Sequence, residues 1–595
     1  MGLLQKAVET YDANLSLVGV IQADHDPLAP IGHTLTSASI EITLSAQGKW
    51  ITARKVDKSE PKILIPVTEE SSGRTSAPAA HPLCDQLKYV APKNEKEHSL
   101  YLTLLGEWEA SDAAHPFLRA ILNYVEGGTI ITDLLQAGVL VLDSKGKYDE
   151  KQLVCWRVNG VEGEEPACWK NQKLFAAYIQ YYKERIANRM PVLCMVEGTK
   201  VPPAVQHPKG IIPVNGNAKL ISANDSSGFT YRGRFTEENQ AATVGYVASQ
   251  KAHCALRWLA SEQGVREFVG NRIFLCWNPQ GIRLLKVMRS VQNQGAAPKY
   301  KPSDYRKALQ STLMSFRKDN QLKGNETAVL AAFDAATTGR LAVTYYNEIS
   351  LSLFLERMQS WDEHCCWNYG KYGIQAPNLM QIVECAFGTQ RGKFLETDDR
   401  IQRQHIQRLM SCKVSGGIFP LDILRALIQR ASMPMAYEES TWRRILRTAC
   451  AAIQKYRFDT NQGGNEMEWE LNRKDRSFQF GRLLAVMERA EADYYSQTQE
   501  TRQTNAIKFM SEYRQRPLFV FERINRQLHQ AYLPRIRPWQ AERYQRLTGE
   551  IFEILKDYSE AELNQPLQEN YLMGYELQRN AFFVKKDADD KKMEE

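Results

Sequence analysis

Two short stretches of the chain carry side chains suited to gripping a polyanion. The first runs Ser71-Ser72-Gly73-Arg74-Thr75-Ser76 and leads through His81-Pro82-Leu83-Cys84-Asp85 to Lys88-Tyr89. Arg74, Thr75, Ser76 and Lys88 can all donate hydrogen bonds to phosphate oxygens or base edges. The second runs His207-Pro208-Lys209-Gly210 through Asn215-Gly216-Asn217-Ala218-Lys219 to Asn224. Glycine beside asparagine makes a thin loop with amide donors and acceptors. Such a loop enters a narrow minor groove and can tell A·T from G·C there. The same residues also read as two ordinary turns, since Asn-Gly is a common turn dipeptide.

Basic residues cluster elsewhere. Residues 283–323 hold ten Lys or Arg against two acids, and residues 501–546 hold ten against three, nine of the ten being Arg. Such clusters are the footprint of a phosphate backbone, although a solvated helix face gives the same pattern. The total charge, +7, is only a mild excess for 595 residues, so its distribution carries the signal.

A search for catalytic patterns returns none. The nearest approach to a phosphate-binding P-loop, Gly388 to Gly392-Lys393-Phe394, is one residue short and lacks the hydroxyl that would hold magnesium. No paired-histidine zinc motif and no G-x-S-x-G elbow occur. Asp398-Asp399 lies among Lys393, Arg400 and Arg403 and reads as a helix-start charge cluster. The eleven cysteines are odd in number and lack framework spacing, which points to reduced thiols in a cytoplasm. Cys365-Cys366, beside His364, read as packing residues near Trp361 and Trp367, because consecutive residues converge poorly on one tetrahedral ion. No cofactor and no metal site are expected, and the balance favours binding or scaffolding. A metal-dependent nuclease with a dispersed active site and a helical protein-interaction scaffold are the competing readings.

These residues need elements to position them. At 43% hydrophobic residues the chain can bury several cores, and no run approaches a membrane span. Residues 1–235 predict a mixed α/β domain. Its strands fall at 40–44, 63–67, 153–158 and 193–196, and its helices at 116–125 and 172–185. Residues 236–348 predict a helix over 237–263, capped by Thr236 and closed by Gly264, then strands at 272–277 and 341–348 flanking the first basic cluster. Residues 349–460 read as helical, 461–466 as a Gly/Asn-rich linker, and 467–584 as a helical bundle broken near Arg516-Pro517 and 535–538. Residues 585–595 are a charged tail expected to be disordered. The fold class is therefore α+β and multidomain, with an N-terminal α/β region followed by a mostly helical part ending in a bundle.

Several segments, in order, resemble the type I-C (Dvulg-subtype) CRISPR-associated large-subunit family. They are Leu3-Leu4-Gln5 with Val8-Glu9-Thr10-Tyr11, and Arg74-Thr75-Ser76 with Leu83-Cys84-Asp85 and Lys88-Tyr89-Val90. Trp156-Arg157-Val158 with Pro166-Ala167-Cys168-Trp169 follows, then His207-Pro208-Lys209. Late in the chain stand 480–488 and Gly574-Tyr575-Glu576-Leu577-Gln578-Arg579.

The resemblance implies a cytoplasmic, prokaryotic, non-catalytic subunit of an RNA-guided complex. Its implied partners are a guide RNA held by backbone, RNA-processing and small subunits, double-stranded target DNA with its displaced strand, and a helicase-nuclease recruited after opening. It implies recognition of a short motif beside the target (the PAM), with guide pairing reading the rest. On that reading Arg74, Thr75, Ser76, Asn215 and Asn217 stand near base edges, and Lys88, Lys209 and Lys219 on phosphates. Arg523, Arg526, Arg535 and Arg537 hold the displaced strand, with Tyr513, Phe519, Tyr532 and Trp539 as stacking or core aromatics. The family's C-terminal region is also made separately from an internal start. Met467 is the candidate start, with Met487 second.

Overall fold

The computed structural model describes residues 2–21, 26–74, 77–222, 242–262, 265–291, 297–337, 339–462 and 471–582. The chain forms two compact units. The first takes 1–284 and 327–349, and the second takes 285–326 and 350–595.

In the first unit, strand Ile40–Ser45 pairs antiparallel with Trp50–Lys55 and parallel with Val154–Asn159. Ile40, Ile42 and Leu44 join Val154, Trp156 and Val158 in a core with the helices Glu95–Glu109, Pro116–Glu126 and Gln172–Ile186. Each such side chain, fully buried, contributes about 1.5–3 kcal/mol. A smaller pair, His33–Thr36 with Ile63–Pro66, leads directly into the first candidate loop. The second sheet has four strands in the order Arg340–Ser350, Thr327–Thr337, Arg272–Trp277, Arg266–Val269. Ile273, Leu275 and Trp277 alternate with period two, as do Val329, Ala331 and Phe333, and this face packs on the helices Tyr246–Ser261 and Leu3–Ala13. The opening Leu3–Tyr11 segment is thus a helix seated on a sheet, with Thr10 Oγ1 accepting from Trp277 Nε1 at 3.0 Å.

Three local expectations change. The helix expected over 237–263 spans Tyr246–Ser261; Thr236 and Gly264 lie outside the described residues. Residues 243–245 are extended because their backbone pairs with another segment. Ala204 N–H donates to the Val244 carbonyl and Tyr246 N–H to the Pro202 carbonyl. The strand expected at 193–196 shrinks to Val192–Leu193, paired with Lys200–Val201. Strand Thr327–Thr337 was not expected, because its alanine-rich sequence favours helix when read locally.

Among its described residues the second unit is helical apart from two small hairpins. The Gly388–Phe394 stretch is one of them, Thr389–Arg391 paired with Phe394–Glu396 and turned at Gly392, where φ is +56°. Asp398 caps the helix Asp399–Ser415, accepting from Arg400 N–H at 2.8 Å. The helix Arg476–Thr498 lies along Tyr571–Ala581. Gly481 and Gly574 sit where the two backbones approach most closely. A Cβ on Gly481 would strike the Tyr571 carbonyl, and one on Gly574 the Phe478 carbonyl. Prolines open the helices Pro517–Gln527 and Pro538–Leu555, separated by a π-helical turn, Leu528–Tyr532, and a 3₁₀ turn, Leu533–Arg535. No helix among the described residues is long and apolar enough to cross a membrane. No disulfide joins any of the eleven cysteines, all of which are buried. The fold class is α+β and multidomain, small N-terminal sheets followed by a mostly helical region.

Candidate nucleic-acid interface

The first loop is organised around one buried carboxylate. Thr68 caps the short helix Glu69–Gly73 by accepting from Ser71 N–H. The chain leaves this helix at Arg74, whose guanidinium meets Asp85 in a fork, Nη2 to Oδ1 at 2.5 Å and Nη1 to Oδ2 at 2.9 Å. Arg74 also donates to the Ala79 carbonyl at 2.7 Å and lies 4.5 Å over the Tyr89 ring. Asp85 is fully buried and further accepts from the His81 and Gln86 N–H groups, both at 2.7 Å. The adjoining Leu83 carbonyl takes the Tyr101 hydroxyl and the Trp156 indole N–H. The segments around Arg74, residues 83–85 and Trp156 therefore form one hydrogen-bonded knot.

The second loop stands on this knot. Buried Glu69 accepts from the Val205 and Gln206 N–H groups at 2.7 and 3.1 Å and pairs with Arg189 at 2.6 Å. Ile211, Ile212 and Ala218 anchor the loop in the core. Gly210 adopts φ +74° with the Gly216 carbonyl packed against it, where a Cβ would crowd it. Asn215 is left-handed at φ +55° and spends its side-chain amide on the Ala335 carbonyl at 3.0 Å. Gly216 and Asn217 form the exposed tip. The backbones of Lys209 and Lys219 bridge antiparallel, and Lys219 also bridges to Arg340. The two loops meet: Gly73 faces the Gln206 side chain and the Lys219 ammonium.

Between them opens a cleft of about 550 Å³. Five basic residues line it, Lys62, Arg74, Lys209, Arg257 and Arg266, against one acid, Asp26, which pairs with Lys62 at 3.1 Å. Neither Lys209 nor Lys219 has a carboxylate partner among the described residues. Burial, then the Arg74 charge, lowers the Lys209 pKa, and burial, then Lys209, lowers that of Lys219. Half-buried His207 falls to about 4 through loss of solvent and then the Lys219 charge, and is neutral at physiological pH. A phosphate in the cleft would relieve this repulsion.

Not every candidate faces the cleft. The Lys88 ammonium lies 3.3 Å from Glu97 and over Tyr89. Arg74 keeps only the donors that Asp85 and Ala79 leave free. Thr75 and Ser76 lie outside the described residues, as do Asn224 and residues 463–470, which include Met467. Arg257 was missed by sequence reasoning. A lone arginine in a helix, it donates to the Lys209 and Gly210 carbonyls at 2.6 and 3.2 Å and fixes the second loop. Glu69 was missed as well, and neither residue carries a motif that could have flagged it.

In the second unit, Arg526, Arg535 and Arg537 are exposed. Arg523 lies 3.9 Å from Glu512 and 4.3 Å over the Phe509 ring. Arg523 and Arg526 share the solvent side of a helix whose other side buries Val520, Phe521 and Ile524. The aromatics divide. Tyr513 is core, fully buried, its hydroxyl donating to the Phe480 carbonyl. Tyr532 packs on Tyr494 and Tyr495. Phe519 and Trp539 are exposed. Among the described residues no group of three His, Cys, Asp or Glu is placed to hold a metal ion. Cys365 and Cys366 are buried thiols, and the His364 ring stacks on Phe458.

A family model described as CRISPR-associated protein (Cas_Csd1) matches residues 10–583. No curated protein matches the chain at a significant level.

Proposed function

The chain belongs to the Cas_Csd1 family of CRISPR-associated proteins, a family of Cascade large-subunit type, and on that premise we propose that it reads the PAM in duplex DNA and helps open the target. The first-unit cleft carries this reading. Two half-buried lysines without carboxylate partners stand beside a slim Gly216-Asn217 tip, a pairing of phosphate grip and groove probe. Lys209, Lys219 and Arg257 take phosphates. Asn217 and the remaining donors of Arg74 approach base edges, while Asn215 holds the tip in shape. The neighbouring Val192–Leu193 hairpin exposes Leu193 and Met195, apolar side chains of the kind that wedge between base steps.

Guide pairing then replaces DNA pairing at nearly balanced free energy, so modest protein contacts decide the outcome. The exposed arginines of the second unit, Arg523, Arg526, Arg535 and Arg537, hold the displaced strand. The chain works with a guide RNA, backbone, RNA-processing and small subunits, and hands opened DNA to a helicase-nuclease without cutting it. The test is a gel shift of the assembled complex on duplexes with a randomised flank, over a salt series. Selection of a short flank with a steep salt slope is expected. Equal binding to all flanks, or metal-dependent cleavage by the purified chain, would overturn the proposal.

A further inference from the structure

Three helices of the second unit converge on a cavity of about 210 Å³. The helix Leu351–His364 contributes Arg357 and Trp361, one turn apart on the same face. Asp399–Ser415 contributes Lys413. Glu439–Asp459 contributes Lys455 and Asp459, again one turn apart. None of these residues has a part in the function proposed above.

Its walls hold three cations against one acid, Asp459. Lys413 and Lys455 are only 3% and 5% exposed, a depth at which lysine is rare unless paired. Lys455 pairs with Asp459, whose other oxygen accepts from Phe419 N–H at 3.0 Å. Lys413 donates to the Arg289 carbonyl at 2.9 Å and lies 3.6 Å from Asp362, a fully buried carboxyl whose pKa is raised by burial. The two ammonium groups flank the Trp361 ring, 5.9 and 5.5 Å from its centroid. Arg357 has no carboxylate partner among the described residues, and its Nε is buried without a hydrogen bond. Gly416, left-handed at φ +73°, gives it room, since a Cβ there would strike the guanidinium. Trp361, 1% exposed, also buries its Nε1–H without an acceptor among the described residues. Unpartnered buried donors are rare and costly, and here two belong to one cavity.

Guanidinium, indole and ammonium groups only donate, and the one acid already uses both oxygens. Such a set suits an oxyanion that accepts from several directions at once. Phosphate does so, with a charge of about −1.5 to −2 near neutral pH and charge-assisted hydrogen bonds to each donor. The volume, about 210 Å³, lies below the ~300–1,000 Å³ of sites that enclose larger ligands. We propose that this cavity binds a small phosphate, as the free ion or as the head of a phosphomonoester. Arg357 and Trp361 Nε1 donate to it, and Lys413 and Lys455 supply the positive floor. The site does not depend on the DNA reading and would stand if that reading fell.

The test is calorimetric titration and thermal melting of the purified full-length chain. A Lys209→Gln/Lys219→Gln background removes the lysines assigned to phosphates in the first unit. The probes are inorganic phosphate, AMP and the diester cyclic AMP, against sodium chloride at matched ionic strength. Phosphate should raise the Tm above the chloride control. Arg357→Gln, at a half-buried position, should weaken phosphate binding about tenfold, the size of one charged hydrogen bond. Trp361→Phe keeps an aromatic wall, loses the donor, and should weaken binding about fivefold; should it fail to fold, Arg357→Gln decides alone. Tighter binding of AMP assigns the site to a phosphomonoester, and tighter binding of phosphate to the free ion, and either upholds the proposal. Phosphate acting no better than chloride, or acting undiminished on Arg357→Gln, would overturn it. Cyclic AMP bound as tightly as phosphate would make the cavity a site for nucleic-acid backbone and overturn it too.

Discussion

Lys219 is a side chain that works against stability, as the phosphate contact proposed for it would explain. Its ammonium is half-buried, has no carboxylate partner among the described residues, and has its pKa lowered by burial and by Lys209. A lysine whose pKa falls on folding destabilises the native state while charged, and this penalty disappears as pH rises through the folded value. Lys219→Met should therefore stabilise the first unit by about 1 kcal/mol, read as a higher Tm. The same variant should weaken DNA binding and reduce the log K against log salt slope by about 0.9. A loss of binding with no change in slope would remove Lys219 from the phosphate contacts. Arg74 is a different case. It is the main charge partner of fully buried Asp85, and deleting one member of such a pair costs about 3–5 kcal/mol. Arg74 variants should therefore report on folding before they report on the proposed recognition, whereas variants of Asn217, exposed at the tip, should leave folding unchanged.

At the scale of elements, the glycine crossing between Arg476–Thr498 and Tyr571–Ala581 sets the second unit's packing. Gly481→Ala and Gly574→Ala should each destabilise it by about 1–3 kcal/mol, measured by denaturant unfolding, although alanine is the better helix former at both positions. Along the same seam Glu488 accepts from Tyr575 at 2.6 Å, and burial raises its carboxyl to about 7. A raised carboxyl favours the native state most when protonated. Its contribution is complete below the unfolded pKa near 4.5 and is lost as pH rises through 7. Glu488→Gln should abolish this part of the pH dependence, worth up to about 3 kcal/mol, seen as a flatter Tm profile between pH 5 and 8.

These elements also show what local sequence reveals. Period-two strands such as 40–44 and 272–277, and helices opened by Pro116, Pro517 and Pro538, were legible because their signals are local. Thr327–Thr337 was not, since its strand state depends on pairing with Arg272–Trp277 about 55 residues earlier. Of the site, the two loops were legible from composition. Their dependence on Glu69, Asp85 and Arg257 was not, because those contacts join residues far apart in the chain.

The two units of the whole molecule are interleaved, and this has consequences for fragments. A chain cut after residue 284 loses Thr327–Thr337, whose Val329, Ala331 and Phe333 fill the core of the four-stranded sheet. It would leave Arg272–Trp277 with an open apolar edge. Residues 1–284 should aggregate, and residues 1–349 with 285–326 replaced by a short Gly/Ser linker should stay soluble and melt cooperatively by circular dichroism. An internal start at Met467 would retain the helices from Arg476 to Ala581 but lose Arg447, which pairs with buried Glu576 at 2.9 Å, and Ser432, which accepts from the Tyr571 hydroxyl. A start at Met487 would also remove Gly481 and Arg482. The longer product keeps the glycine crossing, so the short product should vanish on Met467→Ala and persist on Met487→Ala, read by immunoblot against the C-terminus.

The burial of every thiol makes the molecule silent to cysteine-directed reagents in its native state. One cysteine introduced at Asn217 would then be the sole address for a maleimide dye. Without stripping any native residue, the chain could be fitted with a reporter at the tip itself, whose brightness or energy transfer would follow each encounter with DNA in real time.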